Sequence, residues 1–180
     1  MLEIIIPESE IFDESTREFI TVKAVKLKFE HSLVSISKWE SKWLKPFPFL
    51  NKSDKKISNE ELIDYFRFMC ITQNVPDDIF EHLPRTAIKE IFDYMNSPMT
   101  ATIFSDKPGG RSGKFITSEL IYCWMTQLNI WKECEKWHIN RLLTLIHVCS
   151  AENAPKKKMS KGDVMARHRA LNQARRKPKK

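Results

Sequence analysis

Glycine is nearly missing from this chain of 180 residues: Gly109, Gly110 and Gly113 share one loop, and Gly162 stands near the C-terminus. Tight hairpins and left-handed turns draw on glycine, so this scarcity argues against an all-β fold and for a mainly helical one. Cysteine is sparse as well. Cys70, Cys123, Cys134 and Cys149 sit in helix-like apolar patterns, not at the close spacings of a disulfide scaffold. They are expected to be reduced and mostly buried, as in a cytosolic protein. Long apolar runs are absent too: "LIYCWM" (Leu120–Met125) is far too short to span a bilayer. The opening "MLEIIIPESE" lacks a basic stretch and turns acidic at once, which is unlike a signal peptide. Together these absences predict a soluble intracellular protein with no membrane partner.

What is present is ordinary in amount but uneven in placement. Apolar residues make up 42% and charged residues 29%, and the length suits one domain with a proper core. The net charge of +7 is not spread evenly. Lys156, Lys157, Lys158, Lys161, Arg167, Arg169, Arg175, Arg176, Lys177, Lys179 and Lys180 face only Asp163, so the tail carries +10 and residues 1–154 carry 7 − 10 = −3. A body that bound nucleic acid across its own surface would be basic itself.

The β signals lie at the start. "LEIII" (Leu2–Ile6) and "EFITVKAVKLKFE" (Glu18–Glu30) are rich in β-branched residues, and Val25, Leu27 and Phe29 alternate with lysines. The linking "PESEIFDEST" suits the loop of a long hairpin. A third β candidate is Met99–Ser118, where two short β-branched runs flank the glycines.

Helices are expected in the rest. Ser37 and Glu40 have capping-box spacing, with Ile36, Trp39 and Trp43 on one face, and the alternating "SLVSIS" leaves that start open. Ser58 and Glu61 form a second box before Leu62, Phe66, Met69 and Cys70. "PDDIFEHL" predicts a short helix, and a longer one runs between Pro84 and Pro98. Thr117 can cap a helix through Asn129, and Asn129 can cap the longest, with Cys134, Trp137, Leu142, Leu145, Ile146 and Cys149 on its face. The expected fold is therefore α+β and predominantly helical. It has a helical body over residues 1–153 with a small N-terminal antiparallel β-sheet, then a basic C-terminal arm over residues 154–180, flexible or helical.

No chemistry stands out. "PGGRSGKF" (Pro108–Phe115) lacks the glycine a phosphate loop needs at Pro108 and the hydroxyl it needs at Phe115, so a turn is the better reading. Cys134 and His138 are four apart and can share a helix face, but a third and fourth ligand are too far along to complete a zinc shell. Core packing accounts for them better, and no cofactor is implied. The five tryptophans fall within helical apolar patterns, which favours the core or a protein interface over base stacking. The tail has its own helical grammar, since Ser160 and Asp163 have capping-box spacing and good helix formers follow. Its apolar stripe is thin, only Val164, Leu171 and Ala174, so it reads either as a solvated appendage or as a segment that folds on docking. Candidate partner-binding residues are Trp39, Trp43, Lys156, Lys157, Lys158, Lys161, Arg167, Arg169, Leu171, Arg175 and Arg176.

Several segments taken in order resemble a known family. They are "HSLVSISKWESKW" (His31–Trp43), "PMTATIFSD" (Pro98–Asp106), "ITSELIYCWM" (Ile116–Met125), "ECEKWHINRLLTLI" (Glu133–Ile146) and "APKKKMSKGDVMARHRALNQARR" (Ala154–Arg176). In that order they are similar to the tail assembly chaperones of long-tailed bacteriophages. None is a catalytic signature, so the likeness rests on their order along most of the chain. It implies a non-enzymatic factor in the host cytoplasm, absent from the mature virion. Such a factor binds the phage tape-measure protein, keeps its long helices soluble and helps recruit the tail-tube protein. Self-association as a homo-oligomer is open to it. The family often adds a longer product by ribosomal frameshifting. The rival from another class is a small nucleic-acid-binding protein that uses the basic arm as a phosphate clamp.

Overall fold

The computed structural model describes residues 1–13, 17–22, 24–51, 57–102, 115–154 and 161–176. The chain is α+β and predominantly helical, with a small antiparallel β component at its start. Strands β1 (Leu2–Ile6), β2 (Ser9–Asp13), β3 (Glu18–Val22) and β4 (Val25–Phe29) form one nested hairpin. β1 pairs with β4, Ile4 opposite Leu27, and β2 pairs with β3, Phe12 opposite Phe19. The alternation in β4 works as expected: Leu27 and Phe29 are buried while Lys26 points to solvent. On the outer face Glu3 bridges Lys26 and Lys28, which holds its carboxyl below the usual range.

Two expectations are corrected here. The stretch expected to be loop contains β2, whose backbone pairs with β3 with Ile11 in register with Ile20 and Phe12 with Phe19, residue types that suit a strand. The Glu18–Glu30 run is two strands, with Ala24 outside both. Of the third β candidate, residues 103–114 lie outside the described residues, and the described flanks 99–102 and 115–117 are not strand.

Helix α1 (Leu33–Trp43) starts earlier than the Ser37 box predicts. Ser32 is the cap: its hydroxyl accepts from the Ser35 N–H at 3.3 Å, and the Ser35 hydroxyl accepts from the Ser32 N–H at 3.0 Å. Serine here fills the place that glutamate takes in the commoner box. The helix ends where Leu44 turns left-handed at φ 51°, its N–H donating to the Glu40 carbonyl at 2.8 Å.

A 3-10 turn, Pro48–Leu50, leads toward α2 (Asn59–Met69), whose Ser58–Glu61 box forms as predicted. Beyond α2 the chain covers the open edge of β4. Glu30 N–H donates to the Met69 carbonyl at 2.9 Å, and Ile71 N–H to the Lys28 carbonyl at 2.8 Å. Next come α3 (Asp78–Glu81) and α4 (Arg85–Asn96), the latter bounded by Pro84 and Pro98. Thr117 caps α5 (Ser118–Gln127).

The long helix expected from Asn129 is instead broken. Asn129 adopts φ 52° just past α5, a 3-10 turn spans Lys132–Lys136, and α6 (Ile139–Asn153) begins only after His138. The interruption has a cause: His138 bridges to Ser32, and Ile139 N–H donates to the His31 carbonyl at 2.7 Å. Cys134 and His138 are therefore not on one helix face. The last helix is α7 (Lys161–Arg176).

The chain divides into two compact units, residues 1–149 and 150–180. In the first, Trp39, Tyr65, Phe29, Phe47, Leu27 and Leu33 are among the side chains with no exposed surface. Each such side chain stabilises the fold by roughly 2–3 kcal/mol relative to exposure. In the second, α7 exposes every side chain that is described. No helix among the described residues is long and apolar enough to cross a membrane.

Candidate functional site

The sequence-predicted docking residues fall into three groups. Trp39 and Trp43 lie on α1, one turn apart, with rings 6.5 Å from centre to centre. Trp39 is fully buried, its Nε1–H donates to the Glu61 carbonyl at 2.8 Å, and it presents no surface to a partner. Trp43 is half-buried beneath two cations, Lys42 at 5.6 Å and Lys45 at 5.9 Å from its ring. Those cations are themselves engaged, Lys42 with Asp64 and Lys45 with Glu61, both at 2.5 Å. The Lys45 contact, ahead of the burial that opposes it, holds the Glu61 carboxyl below its ordinary range. The Trp43 indole N–H is buried without a partner among the described residues.

The second group is the arm. Lys156, Lys157 and Lys158 lie outside the described residues, and of Lys161, Arg175 and Arg176 only the backbone, within α7, is described. Arg167 and Arg169 are exposed, and Leu171 keeps 48% of its surface in solvent. Helical spacing puts residues 165, 168, 169 and 172 on one side of α7. Of the described side chains this side carries Met165, His168, Arg169 and Asn172, and the opposite side carries Ala166, Arg167, Ala170 and Leu171.

The third group was not foreseen. His31, between β4 and α1, meets the Tyr65 hydroxyl of α2 through Nδ1 and stacks edge-on against His138 at 5.1 Å. His138 Nε2–H donates to the Tyr94 carbonyl at 3.0 Å, and its Nδ1 accepts from the Asn140 N–H at 3.3 Å. The Tyr94 hydroxyl donates to Glu30 at 2.6 Å. Burial, then the neighbouring His138, pushes the His31 imidazole down to about 3. Burial also lowers His138, against the raising effect of the Tyr94 carbonyl and Glu30. Both rings are thus neutral near pH 7, and His138 has spent both nitrogens. Burial, then Glu30, pushes the Tyr94 hydroxyl up. This is a hydrogen-bonded core, with neither an activated nucleophile nor a poised base.

A second buried acid does similar work. Glu40, on α1, accepts from the Phe47 N–H at 2.8 Å and from the Ser118 N–H at 2.7 Å. It thereby fixes the loop after α1 and the start of α5 to one carboxylate. No cluster of three or more His, Cys, Asp or Glu able to hold a metal exists among the described residues. Cys134 is buried, and burial and then Glu133 push its thiol up, away from the thiolate a metal needs. The glycines of "PGGRSGKF" lie outside the described residues.

Sequence reading missed His31, Tyr65, Tyr94 and Glu40 because each pairs across a long chain separation or sits in an ordinary helical pattern. The one local signal was His31 directly before the Ser32 cap. Comparison with protein-family models, with curated proteins and with solved structures finds nothing that matches this chain.

Proposed function

We propose that the chain is a non-enzymatic tail assembly chaperone of a long-tailed bacteriophage. It acts in the host cytoplasm, binds the tape-measure protein, helps recruit tail-tube subunits and leaves no copy in the virion. The observation that carries this reading is α7, a helix of 16 residues rich in cations and with no described side chain buried. A helix with so little to bury gains most of its stability by docking. The body supports a scaffold role, since Glu40 and His138 are spent on backbone hydrogen bonds and Tyr94 on Glu30. The order of segments that resembles the phage chaperones supplies the identity of the partner.

Coexpression tests the proposal. The full chain keeps a tape-measure protein soluble, and a chain shortened to residues 1–153 does so poorly. The rival phosphate clamp predicts submicromolar binding to duplex DNA or RNA at about 150 mM salt, lost with the arm and falling steeply as salt rises. That result would overturn the chaperone reading.

A further inference from the structure

A cavity of about 240 Å³ lies between the ends of α1, α4 and α6 and is lined by His31, Phe49, Phe92, Met95, Ile139 and Asn140, with Leu50 and Asn96 completing the wall. Its surface is divided about evenly between polar and apolar atoms. The Phe49 and Phe92 rings stand 6.1 Å apart at 58°. Three polar side chains line the cavity, His31, Asn96 and Asn140. His31 is 4% exposed and its Nδ1 is taken by Tyr65, which leaves the other ring nitrogen without a partner among the described residues. Asn140 donates both amide hydrogens, to the Met95 carbonyl at 3.2 Å and the Ser97 carbonyl at 2.8 Å. Its side-chain oxygen therefore remains an acceptor with no donor facing it among the described residues.

We propose that this cavity is a binding site for a small neutral aromatic molecule carrying one hydrogen-bond donor, of the size of phenol or indole. Volume sets the size: the space exceeds that of a benzene-binding cavity of about 150 Å³ and falls short of a drug-sized pocket. The walls select the ring, since Phe49 and Phe92 offer tilted aromatic faces and Met95 a polarisable sulfur. The donor answers the Asn140 oxygen, an acceptor that no described donor uses. No Lys, Arg, Asp or Glu lines the space among the described residues, so a charged guest would lose its hydration with nothing to replace it. The site belongs to the first compact unit and does not depend on the chaperone reading.

The experiment is a titration of the full-length protein with phenol, followed by NMR at the Met95 methyl and the His31 ring. The expected result is saturable shifts confined to residues around the cavity, with a Kd on the order of 1 mM for so small a guest. Benzene, which has the ring but no donor, binds roughly tenfold more weakly. Leu50→Trp and Asn96→Phe add bulk to the wall and abolish the phenol response. Asn96 is exposed, so its variant keeps the fold if Leu50→Trp does not. Shifts that rise linearly without saturating, or that miss Met95, overturn the site. Undiminished phenol binding by a folded filled variant does the same. Benzene binding as tightly as phenol overturns the assignment of the donor.

Discussion

Helices α2 and α7 share a grammar and differ in fate. Both follow Ser-x-x-acid, Ser58 to Glu61 and Ser160 to Asp163, and α7 is the longer, 16 residues against 11. Yet α2 buries Tyr65, Phe66 and Met69 together with Glu61 and Asp64, while no described side chain of α7 is buried. Length and propensity make a helix; they do not give it a place in a core. The apolar stripe does that. Tyr65, Phe66 and Met69 bring roughly 2 kcal/mol or more each, and Leu171 with its alanine neighbours has nothing comparable. A region of the first kind is defined by what it excludes from water, and one of the second kind by what it leaves available.

The largest expected difference between the regions comes from truncating one side chain in each. Trp39→Ala removes a fully buried ring and the bond from its Nε1–H to the Glu61 carbonyl. It should destabilise the protein by about 3–5 kcal/mol. Leu171→Ala should change stability by less than about 0.5 kcal/mol. Urea denaturation of the two variants measures both. Similar midpoints would erase the distinction between core and arm.

Acid should find the core next. His31 is held at about 3 in the folded state against an ordinary value near 6.5, and His138 is shifted the same way. A group with a depressed folded value takes up its proton only on unfolding as pH falls. Stability is therefore full above about pH 6.5 and declines below it by roughly 1.4 kcal/mol per pH unit for His31, down toward pH 3. His138 adds to the same slope. By pH 4.5 the loss from His31 alone is about 3 kcal/mol. As pH falls below the ordinary glutamate value of about 4.5, Glu61, whose folded value is also lowered, contributes a further loss of the same sign. Denaturation midpoints between pH 7.5 and 4.5 check this, and His31→Phe should flatten the slope. A flat profile in the unaltered protein would mean that the imidazoles are not buried neutral.

The parts of this fold that sequence reading reached are those written in neighbouring residues. The alternation of Leu27 and Phe29, the Ser58–Glu61 box, the prolines around α4 and the Thr117 cap are all such local marks. The start of α1 stayed open because Ser35 does a job usually signalled by glutamate. The break before α6 was missed because its cause, the pairing of His138 with Ser32, spans most of the chain. The polar interior was illegible for the same reason. His31 and Tyr65 are 34 residues apart, Tyr94 and His138 are 44 apart, and Glu40 reaches Ser118 across 78. In sequence Glu40 looks like any solvated acid on a helix. Of the candidate docking residues, position along the chain was readable and burial only in part: Trp39 and Trp43 share one pattern, and only Trp39 is wholly enclosed.

A smaller contrast tests the two Ser-x-x-acid sequences. Ser58 Oγ accepts from the Glu61 N–H at 3.2 Å, and Glu61 in return accepts from the Ser58 N–H at 3.2 Å. Ser58→Ala should cost about 1 kcal/mol of global stability, because α2 carries part of the core. Ser160→Ala should leave the thermal midpoint unchanged while lowering the helical circular dichroism, since no described side chain of α7 is buried. Equal shifts in midpoint would show that the arm unfolds with the core.

The smallest effect is expected from the largest deletion. A chain ending at Asn153 loses α7 and with it the tail charge of +10, so the net charge falls from +7 to −3. Residues 150–154 are all exposed, and the last buried side chain of α6 is Ile146, so the cut leaves the buried core of the first unit in place. The reduction in net charge relieves a little self-repulsion, which offsets the slight fraying of α6 at its new end. The thermal midpoint should therefore stay within about 2 °C, whereas a loss of 1 kcal/mol would move a domain of this size by about 2–4 °C. Scans at low and high salt separate the two contributions, because the charge effect fades as salt screens it. A drop of more than about 10 °C at either salt would mean that α7 is held by the core it is proposed to leave free.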